Sequence, residues 1–113
     1  MRGVVKPINV GGEFVFPDEV EAVLKYHPAV ADAVVVGVGD SQAGQRLVAL
    51  LEPSGGSAPS LDELTAFCRA RLVGYRMPRA IVVVDAVQRL DNGRPDYDWA
   101  RTVAAAAQPT RAL

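Results

Sequence analysis

The chain is poor in the residues from which many sites are built. It has one cysteine, one histidine and one tryptophan in 113 residues. One cysteine excludes an internal disulfide framework and a cysteine-rich zinc site, and it suits a reducing cytoplasm. His27 has no metal-spaced companion, and no GxxxxGK[ST] phosphate loop occurs. No apolar run approaches the roughly 18–20 residues needed to cross a membrane, and no basic-apolar leader opens the chain. A large excess of charge is also missing: 12 Lys and Arg face 13 Asp and Glu, a formal charge of −1. General nucleic-acid binding needs a basic surface, so that class is set aside. What remains is half hydrophobic and 22% charged, the composition of a single small soluble domain.

The charge that is present is unevenly spread. Residues 1–66 carry four cations against nine acids, and residues 67–113 carry eight arginines against four acids. A basic second half could receive a phosphate-bearing ligand, although charge alone equally fits a solvated surface.

Hydrophobic spacing predicts an α+β domain: a small sheet of about three strands with flanking helices, plus an N-terminal hairpin. Residues 8–16 form the hairpin or a tight loop, turning at Gly11-Gly12. Pro17, Asp18 and Glu19 open a helix to about Tyr26, with Val20, Val23 and Leu24 on its apolar face. Strands are expected over Val30–Val38, Arg46–Glu52 and Ala80–Asp85. Ser60 and Glu63 make a capping box for a helix that runs towards Leu72 and stops at Gly74. A last helix follows Pro95 to about Ala107, and the tail beyond it should fray. Cys68 falls on an apolar helical stripe and reads as a buried, inert thiol; His27 reads as a polar residue at a helix end; Tyr97 and Trp99 read as core or docking residues.

Three segments could carry chemistry. Gly11-Gly12-Glu13 lacks β-carbons and would let a narrow ligand or a second chain approach the backbone. Gly74 to Arg79 is a helix-ending turn with an aromatic and two cations. Asp91 to Pro95 contains the tight Asn-Gly turn, which would present Arg94 at its tip. Each alone is an ordinary surface turn; their order is more specific. GGEFVFPDEVEAVLKYHPAVADAVVVGVGD, GQRLVALL, LDELTAFCRARLVGYRMPR and VVVDAVQRLDNGRPDY together resemble the small C-terminal domain of adenylate-forming enzymes. This superfamily joins acyl- and aryl-CoA synthetases, luciferases and the adenylation domains of peptide synthetases. The likeness runs from about Ile8 to Arg101, and NGRPDYDWAR looks most like actinobacterial fatty-acyl-CoA ligases.

The resemblance implies a mobile domain over residues 8–107, a hinge remnant over 1–7 and a frayed tail over 108–113. It implies a parent ligase that uses ATP, Mg and coenzyme A to convert a carboxylic acid to acyl-adenylate and then to thioester. The missing N-terminal domain would be this chain's partner and would hold the acid, so the isolated chain is expected to be inactive and to bind no cofactor or metal. Arg94 stands at the family's catalytic lysine position, a planar fork replacing a slim ammonium. Gly11, Gly12 and Glu13 correspond to the wall of the pantetheine tunnel. Tyr75 and Arg79 correspond to a turn near the coenzyme A nucleotide, where Met77 replaces a cation that the pattern sometimes has. Lys6 is the hinge candidate. Two other readings stay open: an adenylation domain of a peptide synthetase, whose second partner is a carrier-protein phosphopantetheine, and a stand-alone docking domain without catalysis.

Overall fold

A computed structural model describes residues 6–40, 44–73 and 76–107. Its centre is a pair of long antiparallel strands, β3 (Val30–Asp40) and β4 (Gly44–Pro53), in register from Asp32↔Glu52 to Asp40↔Gly44. Valine and leucine dominate both strands because both faces are covered. Ala33, Val35, Leu47, Ala49 and Leu51 face one layer, and Val34, Val36, Val48 and Leu50 face the other. Alternate side chains of a strand point to opposite faces, so a run without polar interruptions is what a doubly covered strand requires.

Helices α1 (Pro17–Leu24) and α2 (Leu61–Arg69) cover the first face through Val20, Leu24, Leu64 and Cys68. Helix α3 (Tyr97–Ala107) covers the second through Ala100 and Ala104, small residues that let the helix lie close to the sheet. The capping box of α2 is complete: Glu63 N–H donates to Ser60 Oγ, and Ser60 N–H donates to Glu63 Oε1. Helix α1 ends at Leu24, two residues before Tyr26, with its closing turns directed into His27-Pro28. Helix α2 likewise ends at Arg69 rather than near Leu72. Gly74 and Tyr75, residues 41–43, those before Lys6 and the tail after Ala107 lie outside the described residues, and with them most of the hinge segment and the expected fraying.

The sheet departs from expectation in having five strands instead of about three. β1 (Ile8–Val10) and β2 (Glu13–Val15) form the hairpin, but β1 also pairs with β4 at Val10↔Gly44, so the hairpin continues the main sheet. β5 (Ala80–Val83) pairs with β4 in parallel, Val48↔Ala80 to Leu51↔Val83. The sheet is mixed because α2 carries the chain back to the starting end of β4 before β5 begins. Joining β1 to the sheet requires close approach at Gly37. A β-carbon there would lie 2.6 Å from Ile8 Cγ2 and 2.8 Å from Gln45 Nε2.

The outer edge of β3 is closed by a side chain. Glu21 of α1 is buried, and its Oε2 accepts the Val35 N–H at 3.0 Å. The Tyr97 hydroxyl, from the helix on the opposite face, donates to the same oxygen at 2.9 Å. Helices of two layers therefore meet around the rim of the sheet. Burial pushes the Glu21 carboxyl from 4.5 up to about 7, against the pull of the Val35 and Tyr97 hydrogen bonds and the Lys25 charge. Burial, together with the adjacent Glu21, also pushes the Tyr97 hydroxyl well above its ordinary range.

This carboxyl makes stability depend on pH. Its folded-state value lies above its unfolded one, so its favourable contribution is full below 4.5 and is lost as pH rises through about 7. Gln at position 21 can still accept both hydrogen bonds through Oε1. Urea unfolding of Glu21→Gln against the parent at about pH 5 and about pH 8 should shift the difference towards the variant at the higher pH, by on the order of 3 kcal/mol. A difference that does not change with pH refutes this account.

Candidate functional site

The glycine turn sits at one end of the sheet. Gly11 and Gly12 have φ of +62° and +92°, both in the left-handed region that a two-residue hairpin turn with this twist demands. Asn9 Oδ1 accepts the Gly12 N–H at 2.8 Å, and the Asn9 N–H reaches Gln45 Oε1 at 3.3 Å, which ties the turn to β4. Gly11, Gly12 and Glu13 are exposed, and a β-carbon on either glycine would meet nothing within 4 Å. The two glycines are thus needed for backbone shape, and they leave bare main chain open to whatever approaches.

Arg79 is exposed and lies on the same side of β4 as the hairpin. Its N–H donates to the Leu47 carbonyl at 2.9 Å, immediately before β5. Gly44 and Leu47 are three residues apart on β4, roughly 10 Å along the strand. The turn before Arg79 is anchored by buried Pro78 and by Met77, which packs against the core formed with α1 and α2. Met77 is thus a packing residue. Tyr75 lies outside the described residues. Lys6, exposed, borders a cleft of about 260 Å³ shared with Pro17, Gly37, Tyr97 and Arg101.

Arg94 belongs to the other end. The segment leaving β5 is pinned by the Val87 N–H, which donates to Glu52 Oε1 at 3.0 Å. It then folds into a closed loop. Leu90 N–H donates to the Arg94 carbonyl, Gly93 N–H to the Leu90 carbonyl, and Arg94 N–H to Asn92 Oδ1. Gly93, at φ +88°, provides the reversal. Asp91, Asn92 and Gly93 form the exposed tip, whereas Arg94 is half-buried rather than free at the tip, with its charge bearing on Tyr97. Asp96 Oδ1 accepts the Trp99 N–H at 3.1 Å and so caps α3 directly behind the loop.

Arg89 fastens this loop to the sheet. Its Nε and Nη2 donate to Asp32 Oδ2 and Oδ1 at 3.1 and 2.6 Å, and its Nη1 donates to the Gly93 carbonyl at 2.7 Å. Lys25 Nζ lies 3.8 Å from the same carboxylate. Burial works against ionisation of Asp32, but the Arg89 and Ala33 hydrogen bonds and the two cations prevail, holding its carboxyl below the usual range. Asp32 and Glu52 mark one end of the β3–β4 ladder, and Asp40 and Gly44 mark the other. Eight residues of strand separate them, about 26 Å. The structure brings the glycine turn and Arg79 towards one end and sets Arg94 apart at the opposite one.

Sequence reasoning missed Arg89, Asp32, Glu21 and Tyr97 as a connected set. Glu21 stood within a quoted motif but between apolar neighbours; an acid on the buried face of a helix is the available signal for a hidden acceptor. Cys68 is buried and burial raises its thiol pKa, and His27 Nδ1 accepts the Ala29 N–H at 3.0 Å, local roles in keeping with their expected ones. Among the described residues, no group of three or more His, Cys, Asp and Glu could hold a metal ion, and no helix is long and apolar enough to cross a membrane.

Comparison with known proteins places the chain in a wider group. Residues 19–94 match the model of the AMP-binding enzyme C-terminal domain. A medium/long-chain-fatty-acid–CoA/3-oxocholest-4-en-26-oate–CoA ligase of Mycobacterium marinum is 52% identical over 100 residues, covering 88% of this chain and 18% of that protein. A 3-oxocholest-4-en-26-oate–CoA ligase of Rhodococcus rhodochrous is 49% identical, with the same coverage. The crystal structure of an acyl-CoA synthetase from Brucella canis superposes with a TM-score of 0.83 at 27% identity, covering 94% of this chain and 20% of the other. The chain thus spans about a fifth of the length of the relatives it matches.

Because a β-carbon at Gly12 or Gly93 would meet no neighbour, alanine there should cost only the left-handed backbone penalty. Chemical denaturation of Gly12→Ala and Gly93→Ala should each give a loss of about 1–2 kcal/mol. Gly37→Ala should lose more for a different reason: its φ is not in the left-handed region, but the added β-carbon would displace Ile8 and Gln45.

Proposed function

The chain belongs to the family of AMP-binding enzyme C-terminal domains, and from that premise we propose that it is the moving lid of an ATP-dependent acyl-CoA synthetase. In the first half-reaction a carboxylate oxygen attacks the α-phosphate of ATP, forming acyl-adenylate and releasing pyrophosphate. In the second, the thiol of coenzyme A attacks the acyl carbon and AMP leaves. Negative charge gathers on the transferring oxygens in the first step, and Arg94 supplies a positioned cation there. In the second step the exposed backbone of Gly11-Gly12, with Glu13, lines the narrow path of the pantetheine arm, and Arg79 and Tyr75 meet the nucleotide of coenzyme A. The segment ahead of Ile8, with Lys6, is the hinge. Mg²⁺ does not fit the described residues, which gather no acid cluster, and the partner domain is assigned to hold it. The names of the relatives point to a hydrophobic acid of the fatty or steroid side-chain type as substrate. The single buried thiol suits a reducing cytoplasm.

The observation that carries this reading is the placement of the two loops. The two loops attach towards opposite ends of the β3–β4 ladder, which spans about 26 Å of strand, and this supports a body that presents them one at a time. One rigid body that serves two chemical steps from opposite ends has to turn between them.

Isotope exchange between ATP and pyrophosphate tests it. The 113-residue chain alone should give no exchange above blank with fatty or aromatic acids; clear exchange refutes the reading. In the intact enzyme that carries this chain, Arg94→Ala should lower acyl-adenylate formation by about 100-fold, and Arg94→Lys should raise it above the parent. Thioester formation from supplied adenylate should stay within about twofold in both. Equal effects on the two half-reactions contradict the assignment of Arg94 to the first.

A further inference from the structure

We propose that Arg89 is the positioning residue that aims Arg94, an inference that rests on the role given to Arg94 above. The backbone hydrogen bonds among Leu90, Asn92, Gly93 and Arg94 set the shape of the loop. None of them reaches the sheet; the base of the loop is held by the Asp96 N–H on the Gln88 carbonyl and by α3, which begins three residues after Arg94. The Val87 amide on Glu52 ties down the start of the segment, seven residues before Arg94. Closer to the tip, the Arg89 guanidinium makes the link. Two of its nitrogens clasp Asp32 of β3, and the third holds the carbonyl of Gly93, one peptide bond from Arg94. Asp32 is itself fixed, since its Oδ1 also accepts the Ala33 N–H at 2.9 Å and lies near Lys25.

This geometry uses what arginine has and lysine lacks. A planar fork presents donors on two edges, so one side chain can serve a carboxylate bidentately and a carbonyl at once. A lysine ammonium is a single nitrogen and cannot span both acceptors. A small tilt at Gly93 is magnified along the Arg94 side chain, and misplacement of a catalytic group by about 1 Å can cost up to 100-fold in rate. Loss of Arg89 leaves Asp32 with Lys25 and the Ala33 amide, so the carboxylate is not stranded and the fold survives.

The test uses Arg89→Lys and Arg89→Gln in the intact enzyme, with Arg94→Ala as the benchmark. Both Arg89 variants should lower kcat for adenylate formation by about tenfold or more, with KM for ATP and acid nearly unchanged and no rescue by lysine. Thioester formation from supplied adenylate should stay within about twofold. In the 113-residue chain, amide hydrogen exchange at Gly93 and Arg94 should quicken in both variants, while the unfolding midpoint moves little. Loss of adenylation in Arg94→Ala but not in the Arg89 variants overturns the positioning role alone. Equal loss in both half-reactions, rescue by lysine, or unchanged exchange at Gly93 and Arg94 overturns it as well. No loss in Arg94→Ala overturns the assignment of the loop itself, and this inference with it.

Discussion

The antiparallel ladder of β3 and β4 decides where everything else in this chain can lie. It runs from Asp32↔Glu52 to Asp40↔Gly44, and its central side chains, 33–36 and 47–51, are buried on both faces. A one-residue slip would exchange the two faces of one strand. Ala33, Val35, Leu47, Ala49 and Leu51 would then no longer meet α1 and α2 together, and Val34 and Val36 would leave α3. The same register sets the two ends of the sheet, because Gly44 receives β1 and Glu52 receives the amide of Val87. Loop placement is in this sense a property of strand pairing.

Polar side chains then attach what the ladder alone would leave loose. Glu21 and Tyr97 join α1 to α3 around the rim, and Asp32 with Arg89 joins β3 to the loop before α3. The two connections differ in energetic character. The Asp32–Arg89 pair is partly solvated and bidentate, with strong hydrogen bonds and a modest desolvation cost. The Glu21 carboxyl is enclosed, so its charged form is penalised, and its hydrogen bonds and the Lys25 charge compensate only in part. The first pair stays charged at ordinary pH, whereas the second passes from neutral to charged as its proton leaves, at a burial cost that its hydrogen bonds only partly offset.

Much of this was readable in the residues. Pro17 with Asp18 and Glu19, the Ser60–Glu63 capping box and the valine runs all mark elements through local chemistry, and those elements formed. The glycine turn and the Asn-Gly loop were likewise visible, because positive φ requires particular residues. The joining of β1 to β4, the parallel direction of β5 and the rim contact of Glu21 were not. Each depends on residues far apart in the chain: Val10 and Gly44, Val48 and Ala80, Glu21 and Tyr97. Arg89 looked like any surface cation because its partner, Asp32, lies 57 positions away. Local signals write turns and caps well; they do not write which distant strand a segment will join.

The capture of the Val35 amide has a meaning for the molecule among its own copies. An uncovered strand margin is a template on which another chain can stack, and natural sheets are obliged to blunt it. Here an acidic side chain occupies the donor at the middle of the most apolar strand, Val34-Val35-Val36. An incoming strand would have to expel that carboxyl and break its bond to Tyr97 before it could add a rung. The hidden acid therefore withholds that donor from any strand that approaches the margin.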